Sequence, residues 1–97
     1  MTSDDRQRID KWLFFARIAK SRSLAAKIVA TGAVRVNRTK IEQPSHLVRA
    51  GDVLTLKTDR DVRVLRILAP GVRRGPAPEA RLLYEDLAAG PESALAS

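Results

Sequence analysis

Cysteine is absent from this chain, and histidine occurs once, at His46. Neither a disulfide framework nor a thiolate metal site can be built, and the absence suits the reducing cytoplasm. A metal site at His46 would need partner ligands, and none stands near it in the sequence. An exposed loop histidine is the expectation, with no metal and no cofactor. Aromatic residues are scarce: Trp12, Phe14, Phe15 and Tyr84. No stretch approaches the roughly 18 apolar residues of a membrane span. The polar, acidic start from Met1 to Asp5 does not read as a signal peptide. Glycine-rich phosphate loops and nucleophile motifs are missing. The acids form no obvious catalytic pair, and Asp59 and Asp61 read as turn residues. No enzymatic activity is expected.

What the chain does have is positive charge, unevenly placed. Ninety-seven residues, 44% of them hydrophobic, make one small globular domain. The net charge is +7. Residues 1–50 carry eleven Lys and Arg against four acids, a balance of +7, whereas residues 51–97 carry seven of each and cancel. Between Arg17 and Lys40 stand seven basic residues and no acid. A surface that merely keeps a protein soluble mixes the signs. A one-signed block points to a polyanion, nucleic acid before an anionic membrane.

The hydrophobic period places this block on two helices and a hairpin. Asp10 is a candidate N-cap for a first helix running to about Ala19, with Ile9, Trp12, Leu13 and Ala16 on its core face. Phe14 and Ile18 lie on another side. Phe14 either packs under the strands or meets a partner, and Trp12 is expected in the core. Lys20–Ser23 is a break, and Ser21 or Ser23 can cap a second helix through Leu24, Ala25, Ile28 and Val29. Gly32 suits its left-handed end. From Ala33 the period becomes two. Val34–Val36 reads as a strand, Asn37-Arg38 as a turn, and Lys40-Ile41 as the start of a return strand. Two-residue hairpin turns favour glycine where Arg38 stands, so Arg38 implies strain or a longer turn. Residues 43–49 read as a loop, and 53–57 and 62–68 as strands. Pro78 suits the start of a third helix with Ala80, Leu83, Tyr84 and Leu87 along one stripe.

On this plan Arg17 and Lys20 end the first helix, Arg22 starts the second, and Arg35 follows just past its end. Arg matches phosphate with a planar fork. The first N–H groups of the second helix add a phosphate site. Lys27 and Arg38 belong to the same block.

The ordered pieces Arg8-Ile9-Asp10-Lys11-Trp12-Leu13, Ala16-Arg17, Lys20-Ser21-Arg22-Ser23-Leu24-Ala25 and Gly32-Ala33-Val34-Arg35-Val36-Asn37 resemble the RNA-binding domain first described in small-subunit ribosomal protein four. The Lys11-Trp12-Leu13 start, residues 73–80 and Leu83-Tyr84-Glu85 are similar to the fifteen-kilodalton heat-shock protein family of bacteria. The resemblance implies an α+β fold: a two-helix corner on a small, mainly antiparallel sheet, with a C-terminal helix. It implies RNA contacts at Arg8, Lys11, Arg17, Lys20, Ser21, Arg22 and Arg35, to which the basic block adds Lys27 and Arg38. It also implies partners: large-subunit ribosomal RNA, tRNA, and a large ribosomal subunit obstructed by a nascent chain on tRNA. A monomer with no membrane partner is expected. Arg38 departs from the family's hairpin glycine, and a longer basic C-terminal helix found in some members lies beyond Ser97. The expected layout is a flexible 1–7, an RNA-binding domain over 8–69, a loop and helix over 70–88 packed on it, and a flexible 89–97. Two other readings compete: a DNA-binding regulator using the helical corner, and an accessory subunit of an RNA-modifying enzyme. Against the first, the second helix is short and Ala-rich, with no Asn/Gln pair to read bases in the major groove.

Overall fold

A computed structural model describes residues 6–57 and 62–88. The elements are β1 (Gln7–Arg8), α1 (Ile9–Phe15), α2 (Arg22–Ala30), β2 (Val34–Val36), β3 (Thr39–Ile41), β4 (Leu47–Val48), β5 (Val53–Lys57), β6 (Val62–Ile67), α3 (Ala77–Ala80), a 3-10 turn over Arg81–Leu83, and β7 (Tyr84–Ala88). Five strands form one antiparallel sheet in the order β3-β2-β5-β6-β7, and β1 pairs with β4 beside it. This is the expected α+β class, a helical corner on a small antiparallel sheet.

Alternation decides which sheet face meets the helices. Val34 and Val36 of β2, Leu54 and Leu56 of β5, and Leu65 and Ile67 of β6 point to one side, where Ile9, Trp12, Leu13, Ala16 and Val29 cover them. Trp12 is fully buried, as its place on the apolar stripe suggested. Its Nε1–H donates to the carbonyl of Ala69 at 3.0 Å, and its ring meets Tyr84 edge-on at 6.2 Å. The indole therefore fills the core without leaving its donor unsatisfied.

Asp10 is not the cap of α1. It lies inside the first turn and is 4% exposed, and Arg8, at the capping position, makes no side-chain capping bond. The loop at 43–46 caps instead: the Ile9 N–H donates to His46 O at 2.8 Å and the Asp10 N–H to Pro44 O at 3.3 Å. Two backbone carbonyls thus satisfy donors that a helix start leaves over. A helix reaching Ala19 is also corrected. The chain turns at Arg17, whose φ is 61°, and the N–H groups of Ile18 and Ala19 both donate to Leu13 O.

The hairpin turn is the strained two-residue type. Val36 pairs with Thr39, and both Asn37 and Arg38 between them have positive φ, 51° and 74°. Asn37 holds it in place: its Oδ1 accepts from the Val53 N–H at 3.0 Å and its Nδ2 donates to Asp52 at 3.1 Å. Gly32, at φ 80°, ends α2 as expected; a Cβ there would stand 2.6 Å from Cε of Lys40.

The C-terminal stripe is the largest departure from the sequence reading. Helix α3 has four residues, and Tyr84–Ala88 is a strand. A free β6 would leave a row of unpaired N–H and C=O groups. Strand β7 closes it, with Arg66 opposite Glu85 and Arg63 bonded to Asp86, each at 3.2 Å. Sheet pairing outweighs the local helical spacing of Ala80, Leu83, Tyr84 and Leu87. The turn expected at Asp59-Arg60 lies outside the described residues.

Candidate nucleic-acid interface

The corner between α1 and α2 is held from both sides. Ser21 starts α2 from extended backbone, and its Oγ accepts from the Leu24 N–H at 3.0 Å. Of the two serines that could cap, Ser21 does so. The Ala25 N–H donates to Ser21 O. The N–H groups of Arg22 and Ser23 stand at the start of a nine-residue helix and have no intrahelical acceptor. That is the donor arrangement an anion needs.

Behind this corner sits Asp10, a buried carboxylate. Arg8 donates to it through Nε at 3.2 Å and Nη2 at 3.0 Å, and Arg22 Nη2 reaches it at 3.4 Å. The two arginine side chains remain 49% and 46% exposed, and neither guanidinium has all its donors engaged by Asp10. One buried acid thus fixes two cations from different elements side by side. Asp10→Ala should lower unfolding free energy by about 1–3 kcal/mol, because hydrogen bonds to a charged group are lost and two guanidiniums face each other without a counter-charge. Thermal unfolding monitored by circular dichroism checks this; an unchanged midpoint would show that Asp10 holds nothing.

The other sequence-identified residues divide into four groups. Lys20 and Lys27 are exposed and make no ion pair among the described residues, Lys27 lining the groove between α2 and the sheet end. Lys11 lies over the Phe15 ring, 5.6 Å from its centroid. Arg17 is committed elsewhere: its Nε donates to Gly75 O at 2.6 Å, tying the 71–76 loop to the corner. Arg35 and Arg38 do not share a face with Arg22. With Val34 and Val36 inward, Arg35 points to the outer side of the sheet, opposite Lys40 and Thr55 in register. The single positive face of the sequence reading is therefore two surfaces that meet at the end of α2.

Phe14 fits neither expectation. It does not pack under the strands, nor is it open. Arg74 covers it, with Cζ 4.8 Å from the ring centroid and Nε donating to Phe14 O at 3.2 Å. Gly71 lets the same loop approach α1, since a Cβ there would lie 2.5 Å from Cβ of Phe15. Gln7 exchanges two hydrogen bonds with the Gly71 backbone. Lys57 and Arg74 were missed from the sequence. Period two puts Lys57 on one side with Val53 and Thr55, but only the register places that side beside Arg35.

His46 is exposed, and no group of three or more His, Cys, Asp or Glu among the described residues could hold a metal ion. No helix among them is long and apolar enough to cross a membrane.

The S4 domain model matches residues 7–54, the stretch that contains the corner and the hairpin. Heat shock protein 15 of Escherichia coli K12 is 41% identical over 81 residues, covering 84% of this chain and 60% of that protein. A trimeric structure of Vibrio cholerae heat shock protein 15 superposes with a TM-score of 0.79 at 35% identity, covering 94% of this chain and 88% of the other. The chain belongs to the heat shock protein 15 family of S4-domain proteins. A more distant relative, the small ribosomal subunit protein uS4 of an Anaeromyxobacter species, is 40% identical over 60 residues, covering 62% of this chain and 28% of that protein. The RNA-binding domain type expected from the ordered pieces at 8–37 is the one this chain carries. The chain spans about three-fifths of the length of the Escherichia coli relative.

Proposed function

We propose that this chain binds structured RNA of the large ribosomal subunit and acts by binding alone, holding subunits obstructed by a nascent chain on tRNA so that they can be rescued or recycled. The observation that carries the RNA reading is the corner itself. Arg8 and Arg22 are fixed together on a buried acid, Lys20 and Ser21 lead directly into Arg22, and α2 begins there with N–H groups that have no intrahelical acceptor. A fixed fork of guanidiniums beside free backbone donors matches phosphates of a folded backbone. Lys11, Arg17 and the Ser21 hydroxyl belong to the margin of this surface; Lys27, Arg35 and Arg38 lie apart from it, toward the sheet end and the hairpin. Family membership supports the ribosomal part.

The contact residues we propose all come from one chain, so the binding unit we propose is a monomer. Light scattering of the RNA complex checks that, the Vibrio cholerae relative having been described as trimeric.

Sucrose-gradient sedimentation of cells under translational stress tests the partner. The protein should travel with free large subunits, and more of it when peptidyl-tRNA is trapped on them. Its presence only at the top of the gradient, or equal affinity for any duplex DNA, would count against the ribosomal role.

A further inference from the structure

Two grooves open where α2 meets the sheet. The first, about 540 Å³, lies between α2 and the sheet end; Ile18, Leu24, Ile28 and Leu56 form its apolar part, with Lys27 and Lys57 among its other residues. The second, about 530 Å³, lies on the outer side of β2, β3 and β5 and is lined by Arg35, Arg38, Lys40, Thr55 and Lys57. Ala33 and Lys57 belong to both. A continuous path therefore leads from Leu24, in the first turn of α2, past Lys27 and Lys57, round the sheet end and onto the outer face.

Four of the six charges along this path are uncommitted. Lys27, Arg35, Arg38 and Lys57 have no ion-pair partner among the described residues, while Lys40 faces Glu42 at 3.7 Å and Arg63 is bonded to Asp86. Arg38 adds an independent sign. It holds φ 74° in a turn where glycine is unstrained, and it lines the second groove and a further one over Val53, Thr55 and Val64. A side chain kept in a costly backbone state points to use.

We infer that this path binds an unpaired RNA strand that leaves the structured RNA held at the corner. The inference rests on the RNA reading above and names a second class of ligand for it. The cations match successive phosphates, and the apolar floor beside α2 takes the faces of unstacked bases. A duplex is too stiff to turn round a sheet end. An acidic helical peptide would fit the groove along α2 but leave Arg35 and Arg38 unmatched, whereas an extended polyanion uses the whole path.

The test compares two RNAs bound by the full chain: a blunt hairpin, and the same hairpin with a single-stranded tail of about eight nucleotides, within the site sizes of small single-strand-binding folds. The tail should tighten binding about tenfold or more, and four further phosphates should steepen the slope of log K against log salt by about 2 to 3. Lys57→Glu should abolish that gain and leave the hairpin affinity unchanged. Thr55→Glu, on the outer sheet face, should do the same and serves if the first variant does not fold. A tail that adds nothing, or variants that weaken both RNAs equally, would overturn the inference while RNA binding at the corner stands. If the unmodified chain binds neither RNA, both fall. A polyglutamate peptide binding more tightly than a tail of equal charge would assign the path to a protein and overturn it.

Discussion

A Trp12→Ala chain should lose about 3–5 kcal/mol of stability, the range for truncating a fully buried large aromatic. Three losses combine. The indole has no exposed surface and lies in the cluster that joins α1 to the sheet. Its Nε1–H is the partner of the Ala69 carbonyl, which would be left facing a cavity. Its edge-on contact with Tyr84 also supports β7 at the sheet margin. Native domains have only about 5–15 kcal/mol in hand, and a chain of this length lies toward the lower end. The variant should therefore melt far below the unmodified protein, and a large fraction should be unfolded at 37 °C. Urea titration followed by circular dichroism measures the change. An unaltered midpoint would place Trp12 on a partner surface and contradict the core described here.

The second large effect concerns the grip. Lys20→Glu combined with Arg22→Ala should weaken binding to a structured RNA on the order of a hundredfold at low salt, at about 1.4 kcal/mol for each lost contact. Alanine is chosen at position 22 because a carboxylate there would face Asp10, which Arg22 approaches at 3.4 Å, and would disturb the fold rather than the contact. Arg63 is a poor control for the same kind of reason. Burial opposes its charge, but hydrogen bonds to Tyr84 and Asp86, with their charges, more than offset this and raise its pKa. Reversing Arg63 would break that anchorage of β7. Arg81 is the better control: it is exposed and has no ion-pair partner among the described residues. Arg81→Glu should change affinity little. With about four or five phosphates neutralised at the corner, log K should fall with log salt at a slope of roughly −3 to −4.5 for the unmodified chain. The double variant should have a shallower slope. A slope near zero, or equal losses from the double variant and Arg81→Glu, would mean that the corner does not carry the binding.

What the sequence determined by itself is whatever depends on neighbours a few residues apart. The spacing of Ile9, Trp12, Leu13 and Ala16 is enough to assign a buried helical face, because helical geometry puts those four on one side whatever lies opposite. A serine cap at Ser21 or Ser23, the left-handed Gly32 and the change of period at Ala33 are local in the same sense, the structure choosing Ser21. The basic block was visible as composition alone. What only the tertiary structure decided are the features made by partners distant in the chain. Asp10 looked like a cap because its type suits one, but the carbonyls of Pro44 and His46 occupy that role, leaving its carboxylate to hold Arg8 and Arg22. Residues 84–88 became a strand because β6 offered an open edge, a fact of sheet order that no local pattern contains. Most consequential is the register of β2 between β3 and β5. Side chains alternate with period two, so the inward turn of Val34 and Val36 sends Arg35 to the far side of the sheet. That divides the basic block between the corner and the outer face, and brings Lys57, twenty-two residues further along the chain, to the place where the two surfaces join.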